Sequence, residues 1–196
     1  MKTYALMGRK LLNIILFQAA WFAAVLGAAS GNEWYGPLAV ALVLLVHFVL
    51  IKDRLSELSL LLVTGLLGFC FDTALSAAGI VTPRGHILPH PFSQPWMISL
   101  WLNFASTLNV SLEWLKKSYL LAAIFGAVGG TCAYYGGARL GATLTLPDFH
   151  GIIILAVGWG IVTPILVWLA GRFQKKGSPE QQFDKNTSHA EGRKAG

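Results

Sequence analysis

Charge is what this sequence lacks. Only 12% of its 196 residues are Asp, Glu, Lys or Arg, about half the share found in soluble domains. In a chain that is 55% hydrophobic, so little charge excludes an ordinary soluble domain and indicates a membrane protein. Cysteine is nearly absent too. Cys70 and Cys132 both lie inside apolar segments, which argues against a disulfide framework or a Cys-based zinc site; each reads as a small buried apolar residue. No HExxH, GxSxG or P-loop occurs, so no motif calls for metal, nucleophilic or nucleotide chemistry, and no cofactor is expected.

Long apolar runs are abundant. A span needs about 20 mostly apolar residues to cross about 30 Å of hydrocarbon. Six runs qualify, near 11–29, 36–51, 58–79, 96–113, 118–138 and 151–171; the second is short, and the fourth, "WMISLWLNFASTLNVSLE", holds many polar residues. The expected fold is all-α, a polytopic bundle of about six transmembrane helices with both termini cytoplasmic. Residues 1–172 form the membrane domain and 173–196, polar and without apolar period, a disordered cytoplasmic tail.

The few charges support this count. Lys2, Arg9, Lys10, Lys52, Arg54, Lys116, Lys117, Arg172, Lys175 and Lys176 fall on one side, against Arg84 and Arg139 on the other. That is the asymmetry expected of cytoplasmic and outer loops. The net charge of +6 therefore reads as orientation in a bilayer, with membrane lipids as partners and no role in binding nucleic acid. The N-terminus, basic at its start and small at its end, raises the alternative of a cleaved signal peptide. Its apolar core is longer than usual and carries Asn13 and Gln18, which favours an uncleaved span; the other five spans keep their orientation either way.

Polar residues inside the spans mark candidate sites. In the third span Leu61, Gly65, Gly68, Asp72, Ser76 and Gly79 share one helical face. Small residues mark close helix approach, so Asp72 looks into the bundle, where it needs a partner or a proton. Arg139 is one candidate partner, with Asn103 or Tyr134 as alternatives. In the fourth span Ser99, Asn103, Ser106 and Glu113 lie opposite Trp101, Phe104, Leu108 and Leu112. This polar face must meet protein or water, and it is expected to meet the polar face of span three. Ala122, Gly126, Gly130, Ala133 and Gly137 form a small-residue ridge with GxxxG at 126–130, a surface for helix-packing partners. Pro164 implies a kink. Gln18 reads as a bond to a neighbouring helix or a ligand contact, and His47 as an interfacial residue. His86 and His90 stand four apart, but the prolines around them forbid the helix that would make them metal ligands; that loop is expected to pack rigidly over the outer mouth.

Several stretches resemble DUF2878, a family of bacterial inner-membrane proteins of unknown function: "NIILFQAAWF" (13–22), "FD" (71–72), "PWMISLWLNFASTL" (95–108), "WL" (114–115), "GAVGGTCAYYGGARLGA" (126–142) and "GWGIVTP" (158–164). The resemblance implies an integral inner-membrane protein of a Gram-negative bacterium and carries no activity, substrate or cofactor. Two function classes fit the residues best. One is a small permease-like protein in which Asp72, Asn103 and Ser106, with Gln18 and Arg139 as further candidates, bind a small polar or cationic substrate or a proton. The other is a non-transporting partner or anchor for lipid-modifying enzymes. A membrane enzyme ranks third, because Asp72 and Glu113 belong to opposite halves of the membrane.

The charge pattern makes a topological prediction. A reporter active only in the cytoplasm, fused after Lys117, will be active, and one active only outside it, fused after His86, will be active as well. The reverse pattern at either site would contradict the assignment.

Overall fold

Six α-helices form over residues 2–176, the residues described in the computed structural model. They are α1 (Lys2–Ala29), α2 (Tyr35–Leu50), α3 (Arg54–Ala77), α4 (Pro95–Leu108), α5 (Tyr119–Arg139) and α6 (Phe149–Lys176), with a short 3₁₀ turn at Glu113–Lys117 before α5. Local chemistry sets the boundaries. Asp53 caps α3 by accepting from the Ser56 N–H at 3.1 Å, and Ser118 caps α5 by accepting from the Leu121 N–H at 3.3 Å. Helices α1, α3 and α5 all end in the same way, on a glycine with positive φ: Gly31 (80°), Gly79 (71°) and Gly141 (92°). In each case the next N–H returns to a carbonyl five residues back, as in Asn32 to Gly27, Ile80 to Leu75 and Ala142 to Gly137.

Successive helices run antiparallel, and this sorts the charges. At one end Lys10 pairs with Glu113 at 3.5 Å, the Ser56 hydroxyl lies 2.9 Å from the Phe173 carbonyl oxygen, and Lys116 donates to Gln174 at 2.7 Å. The start of α1, the start of α3 and the end of α6 thus share the basic end. At the other end, the Leu144 N–H donates to Thr82 at 2.7 Å, the Arg84 N–H donates to Ala142 at 2.9 Å, and Pro83 and Thr143 form an antiparallel bridge. The proline-rich loop is tied down there: Trp96 Nε1 donates to the Arg84 carbonyl at 2.8 Å, and Ser93 and Gln94 are buried.

Four helices, α1, α3, α5 and α6, are long and apolar enough to cross a membrane; α2 is a shorter apolar helix of 16 residues. Their outer faces are greasy, with Leu62, Leu66, Leu120, Ile124, Val128, Val157 and Ile161 exposed. The fourth segment corrects the expected span. It is helical for only 14 residues, about 21 Å at 1.5 Å per residue, and stops at Leu108 instead of continuing to 113. The Val110 and Leu112 N–H groups both turn back to the Thr107 carbonyl, at 3.0 and 2.9 Å. Irregular backbone follows, but Asn109, Val110 and Ser111 are buried, and irregular backbone at membrane depth is tolerated where protein covers it. Helix α4 is an internal post, packed by α1, α2 and α3. Helix α6 runs through Pro164 to Lys176, past the expected boundary at 172. The rest of the expected tail, 177–196, lies outside the described residues.

The glycine ridge of α5 packs inside the chain. Gly126 meets Thr163 and the Trp159 carbonyl of α6, and Gly130 meets the Trp159 ring. A side chain at either place would overlap α6. Gly130→Leu should therefore lower stability by at least about 1–3 kcal/mol, the usual cost of overpacking, read as a drop in thermal midpoint in detergent. Gly129→Ala, whose Cβ would find nothing nearer than Phe125 at 4.0 Å, should leave the midpoint unchanged or raise it.

Candidate functional site

Asp72 is 2% exposed and sits on the small-residue face of α3. That face receives α4. Gly65 meets Leu102, and Gly68 lies so close to the Trp101 ring that any Cβ would collide with it. With the indole flat on Gly68, Trp101 Nε1 donates to Asp72 Oδ2 at 2.9 Å. Ser93, in the loop before α4, donates to the same oxygen at 3.3 Å, and the Tyr134 hydroxyl of α5 donates to Oδ1. The carboxylate thus accepts from three segments of the chain. Trp101 also stacks on Trp159 of α6, with centroids 4.5 Å apart and planes within 7°, and Phe71, Phe104 and Tyr134 pack edge-on against Trp159.

Of the partners expected for Asp72, Tyr134 takes the place and Arg139 does not. Arg139 is exposed. It lies five residues beyond Tyr134, about 140° around the helix, so it points elsewhere. Asn103 does not reach Asp72 either. It is fully buried and donates to the Phe17 carbonyl of α1 at 2.9 Å, while its Oδ1 has no partner among the described residues. Ser106 donates to the Asn103 carbonyl at 2.7 Å, and its own carbonyl accepts from Asn13 at 3.3 Å. Asp72 and Asn103 both avoid the exterior, as expected. However, the expectation that α3 and α4 join their polar faces is corrected: α4 turns its indole side to α3 and its polar side to α1. Asn103 lies about 160° from Trp101 around the helix, which makes this unavoidable once Gly68 has taken the indole. The face expected to run on to Glu113 is broken as well, because the helix ends at Leu108.

A cleft of about 660 Å³ lies in front of α4, between α1 and α5. Helix α5 packs along α6 and makes no extensive contact with α1. The floor is Trp101 and Phe104 of α4 with Trp159 of α6; Phe17, Gln18 and Trp21 form one wall, and Phe125, Gly129 and Cys132 the other. Asp72, Tyr134 and Thr143 lie at one end, Ser111 and Trp114 at the other. Near the Asp72 end the walls converge, since a Cβ on Gly136 or Gly137 would touch Trp21 or Val25 at 3.7 or 3.8 Å. Toward the basic end they part. Asp72 and Gln18 therefore share the cleft, whereas Asn103, Ser106 and Arg139 are not among its lining residues. Cys132 and Cys70 are both exposed, correcting their reading as buried. Among the described residues no three His, Cys, Asp or Glu side chains gather as a metal site.

A second polar cluster was missed from sequence. Glu57 is 1% exposed. It lies 3.2 Å from His47 Nε2 and accepts from Asn109 Nδ2 at 2.6 Å; Lys116 donates in turn to Asn109. His47 is thus buried within the protein near the basic end of the bundle. Burial pushes the Lys116 ammonium below its ordinary range, against the opposing pull of the Glu113 and Glu57 carboxylates. A signal was present: Glu57 stands four residues before Leu61 and extends the same stripe as Asp72.

Fold and site together define an all-helical, membrane-type bundle with a buried acid at the closed end of an apolar cleft. The chain belongs to the family described as "Protein of unknown function (DUF2878)", whose model matches residues 10–165. No curated protein and no solved structure matches it.

Asp72→Leu removes the acceptor of three donors. Each orphaned buried group costs about 1–3 kcal/mol, so the variant should lose at least about 3 kcal/mol or fail to accumulate as folded protein. Asp72→Asn, which keeps one oxygen, should fall between it and the wild type. Equal denaturation midpoints in detergent for all three would contradict this account.

Proposed function

We propose that this is a multi-pass protein of a bacterial inner membrane, with six crossings and both termini cytoplasmic, that acts as a small permease-like protein through the cleft between α1 and α5. The alternation of helices, with the basic residues collected at one end, supports that orientation. The short α4 completes the fourth crossing inside the protein rather than against lipid.

The observation that carries the functional reading is the cleft. It follows α1 from Ile14 to Val25 and α5 from Phe125 to Gly137, about 16–18 Å along either helix at 1.5 Å per residue. That is more than half of the roughly 30 Å of a hydrocarbon core. The site is Asp72 with Tyr134 and Gln18; Asn103 and Ser106 hold α1 to α4 and serve the site by position. The second reading, a non-transporting partner or anchor for lipid-modifying enzymes, is favoured by the three bonds that Asp72 accepts within the chain, which let it serve as a structural tie.

Complementation separates the two. In a strain deleted for the gene, the permease reading predicts that Asp72→Asn, at wild-type abundance in the membrane, fails to restore the deletion phenotype. If Asp72→Asn restores it fully and Asp72→Leu fails only in proportion to its lost abundance, the acid is a structural tie and the permease reading falls.

A further inference from the structure

We propose, resting on that reading of the cleft, that its ligand is a single-chain amphiphile drawn from the lipid phase: a linear hydrocarbon ended by a hydrogen-bond donor, a hydroxyl or an amine, with that head at Asp72 and the chain running toward the open, basic end.

The direction of entry follows from what surrounds the opening. Ile14 on the rim of α1 is 50% exposed, and its neighbours Leu11 and Ile15 and the α5 residues Leu121, Ile124 and Val128 are exposed as well. A molecule entering between the helices crosses an apolar surface, which in a bilayer faces acyl chains. The body of the ligand follows from the walls, which are aromatic and glycine surfaces with few polar groups, the usual character of pockets for apolar ligands.

The head follows from the closed end. A carboxylate offers about four acceptor positions, and three are filled, by Trp101, Ser93 and Tyr134. One remains for a donor from the ligand. A hydroxyl or an amine supplies that donor. A carboxylate or phosphate head is disfavoured outright, because no Lys, Arg or His is among the lining residues to offset Asp72.

The two free thiols supply an internal control. Cys132 lines the cleft and is exposed, whereas Cys70 is exposed on α3 away from it. The experiment is the rate of N-ethylmaleimide labelling of each thiol, resolved by peptide mass spectrometry, on the full chain in detergent. The added probes are dodecan-1-ol, dodecylamine, dodecanoic acid and dodecane. At about ten times its half-protecting concentration, dodecanol should slow Cys132 labelling about tenfold, following the free fraction, with Cys70 unchanged. Dodecylamine should protect likewise, and the acid and alkane least. Gly129→Phe and Ile14→Trp, which fill the cleft from opposite walls, should each abolish the effect of dodecanol, and Val128→Phe, on the outer face of α5, should not. Tyr134→Phe should preserve protection by dodecanol at a higher concentration.

Equal protection by all four probes would overturn the donor-head assignment and leave a non-selective apolar groove. Protection that survives both filling variants would overturn the site itself. Dodecanol binding as described, together with full complementation by Asp72→Asn in cells, would uphold the ligand class while removing the permease reading.

Discussion

A carboxylate placed among apolar helices must be satisfied by the protein itself, and in this fold Asp72 is satisfied without a cation. Its acceptors take an indole N–H from α4, a phenol from α5 and a hydroxyl from the loop that leads into α4. Each donor fixes the position of a different segment against α3. The geometry depends on glycine at position 68, because only a bare Cα lets Trp101 lie flat enough to reach the acid. The Trp101 ring then supports Trp159, whose ring fills the hollow at Gly130 while Thr163 fills that at Gly126. One buried acid thus organises the contact between α3, α4, α5 and α6 through a chain of aromatic faces and glycine notches.

The same arrangement explains why α1 and α5 stand apart. Helix α4 spends its indole side on α3 and α6 and its amide side on α1, through Asn103 to Phe17 and Asn13 to Ser106. Nothing on α4 is left to draw α5 inward along its length, and α5 is already committed to α6 through its glycine ridge. Helices α1 and α5 come close where Gly136 and Gly137 face Trp21 and Val25. Below that point they diverge, and the cleft is the consequence. At the basic end a separate cluster, Glu57 with His47, Asn109 and Lys116, closes the bundle beneath it.

Much of the fold was legible in the sequence, because hydrophobic length and charge distribution depend little on tertiary detail. The helices lie close to the expected segments, and the glycine stripe correctly turned Asp72 inward. The readable signal failed where a contact between distant residues decided the outcome. Composition alone extended the fourth helix to Glu113; the backbone instead turns back on Thr107, and the Asn109 amide donates to Glu57, 52 residues away. Helical position alone predicted that polar faces would meet; the flat fit of an indole on Gly68 reversed α4. The partner of Asp72 remained open between Arg139, Asn103 and Tyr134 because angle around a helix does not say how near two helices come. The cleft had no sequence signal, since it arises from where α5 fails to pack.

Asp72 ties α3 to α5 by accepting a hydrogen bond from Tyr134. A double-mutant cycle on denaturant stability in detergent, with Asp72→Leu and Tyr134→Phe alone and combined, measures that tie most directly. A coupling of about 1–2 kcal/mol is expected, in the range found for directly bonded side chains. Additivity of the two single effects would contradict it.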